Sequence, residues 1–210
     1  MSYMFHFPNL KWTALQAESI GVPLLTEETE GVKEEELADL ERALANAKSK
    51  FGLEGIYTGA LASVYQKTRV EKVCGRLSLK CISPLWGADP DAHLRRLVEE
   101  GFAVIVVSVS ALGLDQTWLG RKLDRSSIDE LVALAKKFRF HVGLEGGEGE
   151  TFVLDAPFFS KRIEILASEK HWKGDSGYLE ITDAALVPEA TREGAALSRG
   201  PNQRSSAALP

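Results

Sequence analysis

The segment EGGEGET, in the last third of the chain, concentrates residues that could do chemistry. Its members are Glu145, Gly146, Gly147, Glu148, Gly149, Glu150 and Thr151. The glycines leave the backbone free to bend, while three glutamates within six residues repel one another unless a cation or hydrogen-bond donors compensate. Perturbed carboxylates are frequent in catalytic and binding sites. A solvated acidic turn is the alternative, but the apolar flanks at 141–144 and 152–154 favour a functional site.

The segment GALASVYQKTRVE holds a second candidate site. Small residues at positions 59, 60 and 62 allow a ligand to approach the backbone closely. A predicted helix then begins with the polar residues Ser63, Gln66 and Arg69. A helix N-terminus beneath small residues suits an anion or a nucleotide, whereas a tight strand-to-helix turn explains the pattern equally well.

Two further polar segments follow predicted strands. In SPLWGAD, Trp86 and Asp89 could offer an aromatic wall and a carboxylate, although a Trp at such a position is more often a core residue. In ALGLDQTWLG, Gly113, Asp115 and Gly120 fit either a binding loop or a structured connection.

The histidines and cysteines do not have the spacing of a metal site. The four histidines are His6, His93, His141 and His171. None is spaced with Asp, Glu or Cys as metal ligands are, so a surface or core position is predicted for each. Cys74 and Cys81 are too few for a zinc tetrad or a secreted disulfide framework, and we expect reduced thiols in or near the core.

The elements that must position these segments alternate between helix and strand. Hydrophobic periodicity predicts helices at 15–20, 34–47, 89–100 and 127–138, and a helix of about twelve residues that is capped by Ser63, with Val64, Val70, Val73 and Leu77 facing inward. Continuous apolar runs predict strands at 22–25, 55–61, 81–86 and 102–110. Such alternation implies parallel strands with ligands beyond their carboxyl ends.

The pattern changes after residue 138. There the acidic loop precedes a strand, and RIEILASEKHW predicts an antiparallel strand. From about Pro188 the chain is rich in Ala, Gly, Ser and Pro without periodicity, which predicts a disordered tail.

Composition excludes several classes of function. The chain has 210 residues, 44% of them hydrophobic and 26% charged, with a net charge of −5. This charge argues against nucleic acid and anionic lipid as partners. The start of the chain lacks a signal-peptide pattern and the run FAVIVV is too short to cross a bilayer, so we expect a soluble, cytoplasmic protein.

Four of these segments, read in order, carry a resemblance to a known family. The series GALASVYQKTRVEKVC, SPLWGAD, GLDQTWLG and EGGEGETFVLDAPFF resembles the diphthine–ammonia ligase family, a group of N-type ATP pyrophosphatases with a Rossmann-like fold. The likeness runs from about Tyr3 to Glu180. In that family ATP activates the carboxylate of diphthine, a modified histidine of translation elongation factor 2, as an acyl-adenylate, and ammonia then displaces AMP to give diphthamide.

The resemblance implies an architecture and a set of roles. The implied fold is α/β, a mostly parallel Rossmann-like sheet of the HUP type flanked by helices, with a partial ATP pyrophosphatase region at 1–100, a smaller C-terminal α/β substrate-binding region at 101–187 and the tail at 188–210. ATP and Mg²⁺ are the implied cofactors, and no protein metal ligands are implied. The implied nucleotide contacts are Gly59, Ala60, Ser63, Gln66 and Arg69. The implied acceptor side comprises Glu148 and Glu150 as catalytic candidates, with Trp86, Asp89, Glu145, Gly146, Gly147 and Thr151 as substrate contacts.

The acceptor side has a physical rationale. Diphthine carries a quaternary ammonium, which carboxylates attract and an aromatic face such as that of Trp86 could cover. We therefore expect Glu148→Gln to weaken the use of diphthine far more than the binding of ATP.

This sequence also departs from the family. The family begins with a strand and a phosphate-binding loop of the pattern SGGKDS, and no such loop occurs here. We therefore expect an N-terminally truncated form that is poorly folded and inactive alone, because backbone donors for the pyrophosphate are missing. Smaller departures are Leu144 in place of Gly, Gly149 in place of Tyr or Phe, and Ala88 in place of a basic residue.

Three functions stay open from the sequence. The first is the ligase or the body of one, acting on elongation factor 2 with ammonia. The second is a non-catalytic module that binds elongation factor 2 or a partner chain. The third is an ATP pyrophosphatase relative that acts on a small carboxylate or gives a different amide product.

Overall fold

A computed structural model describes residues 9–29 and 36–188 of the chain, and the fold is α/β. The helices are α1 (Thr13–Ile20), α2 (Glu36–Phe51), α3 (Val64–Arg76), α4 (Pro90–Glu99) and α5 (Arg125–Phe138). The strands are β1 (Gly55–Tyr57), β2 (Lys80–Ile82), β3 (Ala103–Val109), β4 (Gly149–Asp155), β5 (Lys161–Lys173) and β6 (Ser176–Pro188). Short turns of 3-10 helix lie at Leu10–Trp12 and Gln116–Trp118.

The first sheet is a parallel pair, as the alternation of strand and helix predicts. β1 and β2 pair in parallel with Ile56 opposite Cys81, and α3 connects them. α3 also packs against α2 and β2, and this contact buries Val73 and Cys74. Cys74 is buried and Cys81 is half-buried, and both are free thiols, as the sequence predicts.

The second sheet is antiparallel and holds the main core. Its strand order is β4-β3-β6-β5, and both neighbours of β3 run antiparallel to it. The apolar run of β3 is buried on both faces as expected, since α1, α4 and α5 contribute Leu15, Leu94 and Leu131 to the core around it. The expected parallel pairing of this strand is therefore wrong. The prediction failed because apolar periodicity reports burial and carries no information about strand direction.

The predicted helices are confirmed, and local sequence explains where most of them begin. Asp89 caps α4 by accepting a hydrogen bond from the N–H of Ala92 at 2.8 Å. Asp124 caps α5 in a reciprocal box with Ser127. Ser63 caps α3, where its Oγ accepts from the N–H of Gln66 at 3.3 Å. Gly21 ends α1 in the left-handed region, at φ 78°.

Four predictions about apolar residues are wrong in whole or in part. The segment 22–25 forms no strand, and the side chains of Val22 and Leu24 are 50% and 47% exposed. The strands predicted at 55–61 and 81–86 end after three residues each, because turns and the start of α3 follow at once. Val64, predicted to face inward, is 62% exposed at the first turn of α3.

The turn at Leu10–Trp12 lies along β6. The side chain of Asn9 donates to the carbonyl of Leu179 at 2.9 Å and accepts from the N–H of Ile181 at 2.7 Å. The indole N–H of Trp12 donates to the carbonyl of Ile181 at 2.7 Å. These backbone groups of β6 point away from β5 and lie past the two positions at which β3 pairs with β6.

Three sequence predictions lie wholly or partly outside the described residues. They are the tail after Pro188, the acidic start of the helix predicted at 34–47, and the surface or core position of His6. Within 9–29 and 36–188, no helix combines the length and the apolar character that a membrane span requires.

Candidate functional site

A cavity of about 500 Å³ lies between the parallel pair and the acidic loop. One wall is the segment after β1, including Thr58, Gly59 and Ala60, together with Gln66 and Lys67 of α3. The wall therefore stands at the carboxyl end of a parallel strand, where α/β proteins usually bind ligands. The hydroxyls of Thr58 and Ser83 lie 2.8 Å apart and join the ends of β1 and β2 there.

The opposite wall is the acidic loop and the first residues of β4. The loop contributes Glu145 and Gly147, and β4 contributes Glu150 and Thr151. β4 pairs with the end of β3, which places Glu150 opposite Ser108. The two segments that stand out in the sequence therefore face each other across one cavity.

The carboxylate of Glu145 joins the two walls. Its Oε1 accepts from the N–H of Leu61 at 2.5 Å, and its Oε2 accepts from the N–H groups of Ala62 and Ser63 at 2.8 and 3.2 Å. These amides lie at the start of α3, where the helix dipole favours a negative charge. The anion site expected at this helix N-terminus is thus filled by a carboxylate of the chain itself.

The carboxylate of Glu148 bonds within its own loop. Its Oε1 accepts from the N–H of His141 at 3.0 Å, and its Oε2 accepts from the N–H of Gly146 at 2.6 Å. The backbone carbonyl of Glu148 accepts from the N–H of Ser110 at 2.8 Å, which ties the loop to the end of β3. The sequence analysis requires hydrogen-bond donors to offset the repulsion among the three glutamates. For Glu148 these donors are backbone amides.

Backbone conformation explains the glycines of this loop. A Cβ at Gly146 would lie 2.5 Å from Oε1 of Glu148, and Gly147 has φ 85°. Leu144, a departure from the family pattern of Gly, has φ 59°, a region that glycine adopts far more easily. Its buried side chain belongs to the core cluster, which holds the leucine in this conformation.

The floor of the cavity is apolar except for one histidine. Leu94 and Leu97 of α4 and Leu131 of α5 line it with His93. Burial lowers the pKa of His93, and Arg96 lowers it further, while the carboxylates of Glu100 and Glu145 act in the opposite direction. The position therefore disfavours the charged form of His93.

Most of the predicted site residues line the cavity or contact a residue that does. Those that line it are Gly59, Ala60, Gln66, Glu145, Gly147, Glu150 and Thr151. The N–H of Ser63 donates to the carboxylate of Glu145, and the N–H of Gly146 donates to the carboxylate of Glu148 within the acidic loop.

Three predicted residues have other contacts. The guanidinium of Arg69 stacks on the ring of Tyr65, with 3.5 Å from its Cζ to the ring centroid. Asp89 caps α4. Trp86 is 38% exposed, and the ammonium of Lys67 lies 5.1 Å from the centroid of its ring. Trp86 is therefore not a core residue.

Sequence reasoning missed two titratable residues of the cavity, His93 and Lys67. His93 follows Asp89 by one helical turn on the face of α4 that carries Leu94 and Leu97, and that periodicity is the signal that could have found it. Lys67 follows Ser63 by one turn of α3, and its ammonium pairs with Glu71.

The segment after β3 is a structured connection, one of the two alternatives for it. Gly113 has φ 95°, and a Cβ there would lie 2.3 Å from the ring of Phe138. The carboxylate of Asp115 accepts from the N–H of Thr117 at 2.9 Å and so caps a short turn. In the ranges 9–29 and 36–188, His, Cys, Asp and Glu form no group of three or more that could hold a metal ion.

Comparison with known proteins assigns both halves of the chain to one family. The N-terminal domain of diphthamide synthase matches residues 1–81, and its C-terminal domain matches residues 89–187. The diphthine–ammonia ligase of Homo sapiens is 37% identical over 180 residues, which cover 80% of this chain and 67% of that protein. That of Danio rerio is 34% identical over 192 residues, which cover 86% of this chain and 75% of that protein.

Length differs widely among the relatives. The diphthine–ammonia ligase of Schizosaccharomyces pombe is 37% identical over 194 residues, but the match covers 32% of that protein. The two domain matches, and identities above a third over most of the chain, agree with the order of the four motifs. The chain therefore belongs to the diphthine–ammonia ligase family.

Proposed function

We propose that this chain carries the substrate cavity of an ATP-dependent ligase that converts diphthine on translation elongation factor 2 into diphthamide, with ammonia as the nitrogen donor. The observation that carries the proposal is the convergence of two motifs of the family, GALAS and EGGEGET, on a single cavity of about 500 Å³. A cavity of this size is typical of small-molecule sites. The product is an amide, so the site must hold the diphthine carboxylate and, once ATP has activated it, keep water away from the acyl carbon that ammonia attacks as AMP leaves.

The nucleotide side of the proposal rests on the wall after β1. ATP would supply the activation of the diphthine carboxylate. Gly59 and Ala60 leave room for a ligand against the backbone, Gln66 offers an amide for hydrogen bonds, and the leucines of the floor suit an apolar base. These residues fit the nucleoside end of ATP.

The start of α3 does not fit the phosphates of ATP. The amides at the start of α3 are filled by Glu145, so they do not form a cradle for phosphate. In this proposal Mg²⁺ enters with ATP, since within 9–29 and 36–188 His, Cys, Asp and Glu form no group of three or more that could hold a metal ion.

The acceptor side of the proposal rests on the acidic wall. Glu150 and Thr151 line the cavity, and the carboxylate of Glu150 gives it negative charge. A trimethylammonium group cannot donate hydrogen bonds, so charge and aromatic faces would attract it. The ring of Trp86 lies next to Lys67 of the cavity wall, so a trimethylammonium group would have to displace the Lys67 ammonium to use this aromatic face. Glu148 fixes the loop that presents these groups.

The replacement Glu148→Gln tests the acceptor side. It removes a charge that two backbone amides require, which costs about 1.5 to 3 kcal/mol for such hydrogen bonds. We expect binding of elongation factor 2 that bears diphthine to weaken about tenfold or more, while ATP affinity stays within about twofold. Titration calorimetry measures both affinities, and mass spectrometry of elongation factor 2 measures conversion of the carboxylate to the amide.

Glu169→Gln is the matched control, because the same change then falls on an exposed position of β5 away from the cavity. Equal losses of diphthine and ATP binding in the Glu148 variant would contradict the division into two walls. Binding of both ligands by the unaltered chain without any amide formed would refute the ligase and support the non-catalytic module.

A further inference from the structure

Glu145 makes a connection that its neighbours in the acidic loop do not make. Its carboxylate bonds to the backbone of Leu61, Ala62 and Ser63, which lie 82 to 84 residues earlier in the chain. The carboxylate of Glu148, three residues later, accepts hydrogen bonds from two backbone amides that lie within eight residues of it. The same side chain therefore has a long-range role at one position and a local role at the other.

The three amides form a strong site for a carboxylate. They are consecutive, they converge on two oxygens, and they stand at the N-terminus of a helix of 13 residues. Hydrogen bonds from backbone N–H groups to an ionised carboxylate are shorter and stronger than those between neutral groups. A carboxylate anchored in this way resists both rotation of its own loop and movement of the amides.

The hydrogen bonds of Glu145 reach Leu61, a residue that contacts several parts of the fold. α2, β1, α3 and β2 pack on one another, whereas α1 packs on β5 and β6, and α4 packs on α5. Leu61, which follows β1, contacts the segments around Gly87 and Gly143. Its carbonyl accepts from the N–H of Gly87 at 2.8 Å, and its side chain lies against Gly143, where a Cβ would be 3.1 Å from Cδ1 of Leu61.

We propose that Glu145 is a positioning residue, whose carboxylate fixes the wall at 59–63 against the wall at 143–147 and keeps anionic ligands off the amides of α3. It acts through the geometry of the cavity, and it need not contact the acceptor. The identity of the ligand that benefits rests on the proposed function. The occupation of the amides by Glu145 does not.

Removal of the carboxylate should convert the filled site into an open one. In Glu145→Ala the three amides lose their acceptor and become available to a small carboxylate from solution. Free acetate should then bind there and restore the hydrogen bonds of these amides without the link to the acidic loop, whereas in the unaltered chain the resident carboxylate has a large entropic advantage because it is already tethered.

Amide hydrogen exchange of the full chain, followed by two-dimensional NMR, tests the proposal without substrate. We expect exchange at Leu61, Ala62 and Ser63 to rise at least about tenfold in Glu145→Ala, in line with the loss of charge-assisted bonds. Acetate should reverse this rise and shift the resonances of the same amides in the variant, and it should leave them unchanged in the original chain. The amides of β3 report whether the fold is intact.

Glu148→Ala is the matched control, since it removes a carboxylate from the same loop. It should raise exchange at His141 and Gly146, the amides that donate to its own carboxylate, and raise it far less at positions 61–63 than Glu145→Ala does. If Glu145→Ala does not fold, Glu145→Gln keeps one oxygen acceptor and should give an intermediate rise at the same three amides.

Two results would overturn the proposal: unchanged exchange at positions 61–63 in a folded Glu145 variant, or an equal response of the original chain to acetate. A chain that passes these tests but binds neither ATP nor elongation factor 2 would refute the proposed function and leave the role of Glu145 standing.

Discussion

Glu145, Glu148 and Glu150 have the same side chain, and their surroundings give them three different roles. Glu145 joins two walls, Glu148 shapes a loop, and Glu150 lines the cavity at the start of β4. The difference lies in which donors each carboxylate meets. Local spacing in the sequence cannot reveal donors that belong to residues more than eighty positions away.

Gly59 offers the simplest test of the nucleotide wall. A Cβ there would meet no atom within 4 Å, so Gly59→Ala should fold normally and gain about 0.4 to 1 kcal/mol from a less flexible unfolded chain. The added methyl group would project into the space where a ligand approaches the backbone. We expect ATP affinity, measured by calorimetry, to fall about tenfold, and the larger Gly59→Val to abolish binding.

Gly75→Ala in α3 is the control, since its Cβ also meets no atom within 4 Å and it lies away from the cavity. It should stabilise the chain and leave ATP binding unchanged. Equal ATP affinity in the Gly59 variants and the original chain would show that the ligand does not approach this wall.

The sequence predicted the composition of the site better than its contacts. Residue type and spacing were sufficient to single out Gly59, Gln66 and Glu150 as candidate site residues, because strand ends and helix starts can be located from periodicity, and all three line one cavity. The same reasoning assigned His93 to the surface or the core. A single histidine on a helix carries no local signal for the cavity that tertiary packing forms above it.

At the scale of the helix, the cap of α5 links stability to pH. The backbone N–H of Ser127 bonds to the carboxylate of Asp124, which lowers the pKa of Asp124 below that of a free aspartate. The charged form therefore stabilises the fold. This contribution is fully present above the pKa of the unfolded chain, about 4, and is lost as the pH falls through the lower pKa of the folded state.

Asp124→Asn should make unfolding less sensitive to acid. Asparagine is also a good N-cap, but it has no proton to gain. We expect the difference in urea midpoint between the original chain and the variant to shrink from about pH 6 to about pH 3, as followed by circular dichroism. Asp175→Asn, an exposed change between β5 and β6, is the control for the loss of one charge. A difference that does not vary with pH would rule out this linkage.

Long elements were more predictable than short ones. The helix from Arg125 to Phe138 and the strand from Ala103 to Val109 repeat their apolar pattern over several turns or residues, and both occur as expected. The segment 22–25 has only four apolar residues, which is too few to specify a partner. Pairing direction was also beyond the sequence, since β3 is buried by helices whichever way its neighbours run.

At the scale of the whole molecule, the hydrophobic core is unevenly distributed. The main cluster of buried residues comes entirely from positions 104 to 181. Around the parallel pair the buried apolar residues are fewer and smaller, and among them are Val73, Cys74 and Leu79. Regions with less buried apolar surface open at lower free energy, so the parallel pair should open before the antiparallel sheet.

Cys74 is a natural probe of this order. Burial raises the pKa of its thiol to about 11, with a further contribution from Cys81, so the folded thiol is almost entirely protonated and shielded. In a Cys81→Ser variant, we expect alkylation of Cys74 to begin at a urea concentration below that at which the amides of β3 lose protection from exchange. Mass spectrometry measures both signals on the same samples.

Two controls define the result. In full denaturant Cys74 should react at the rate of a free cysteine, and the original chain should show that Cys81→Ser does not shift the transition of β3. Simultaneous loss of both protections would mean that the two sheets unfold as one cooperative unit.

The contacts of Asn9 and Trp12 along β6 have a further consequence for the behaviour of the chain in concentrated solution. A strand whose N–H and C=O groups are unmatched is a template on which a foreign strand can add, and such addition leads to aggregation. The amide of Asn9 matches one acceptor and one donor of β6, and the indole of Trp12 matches the next acceptor. These side chains thus satisfy the backbone groups of β6 that another strand would otherwise pair with over this stretch. Because they are side chains, they offer no backbone of their own to which another molecule could pair.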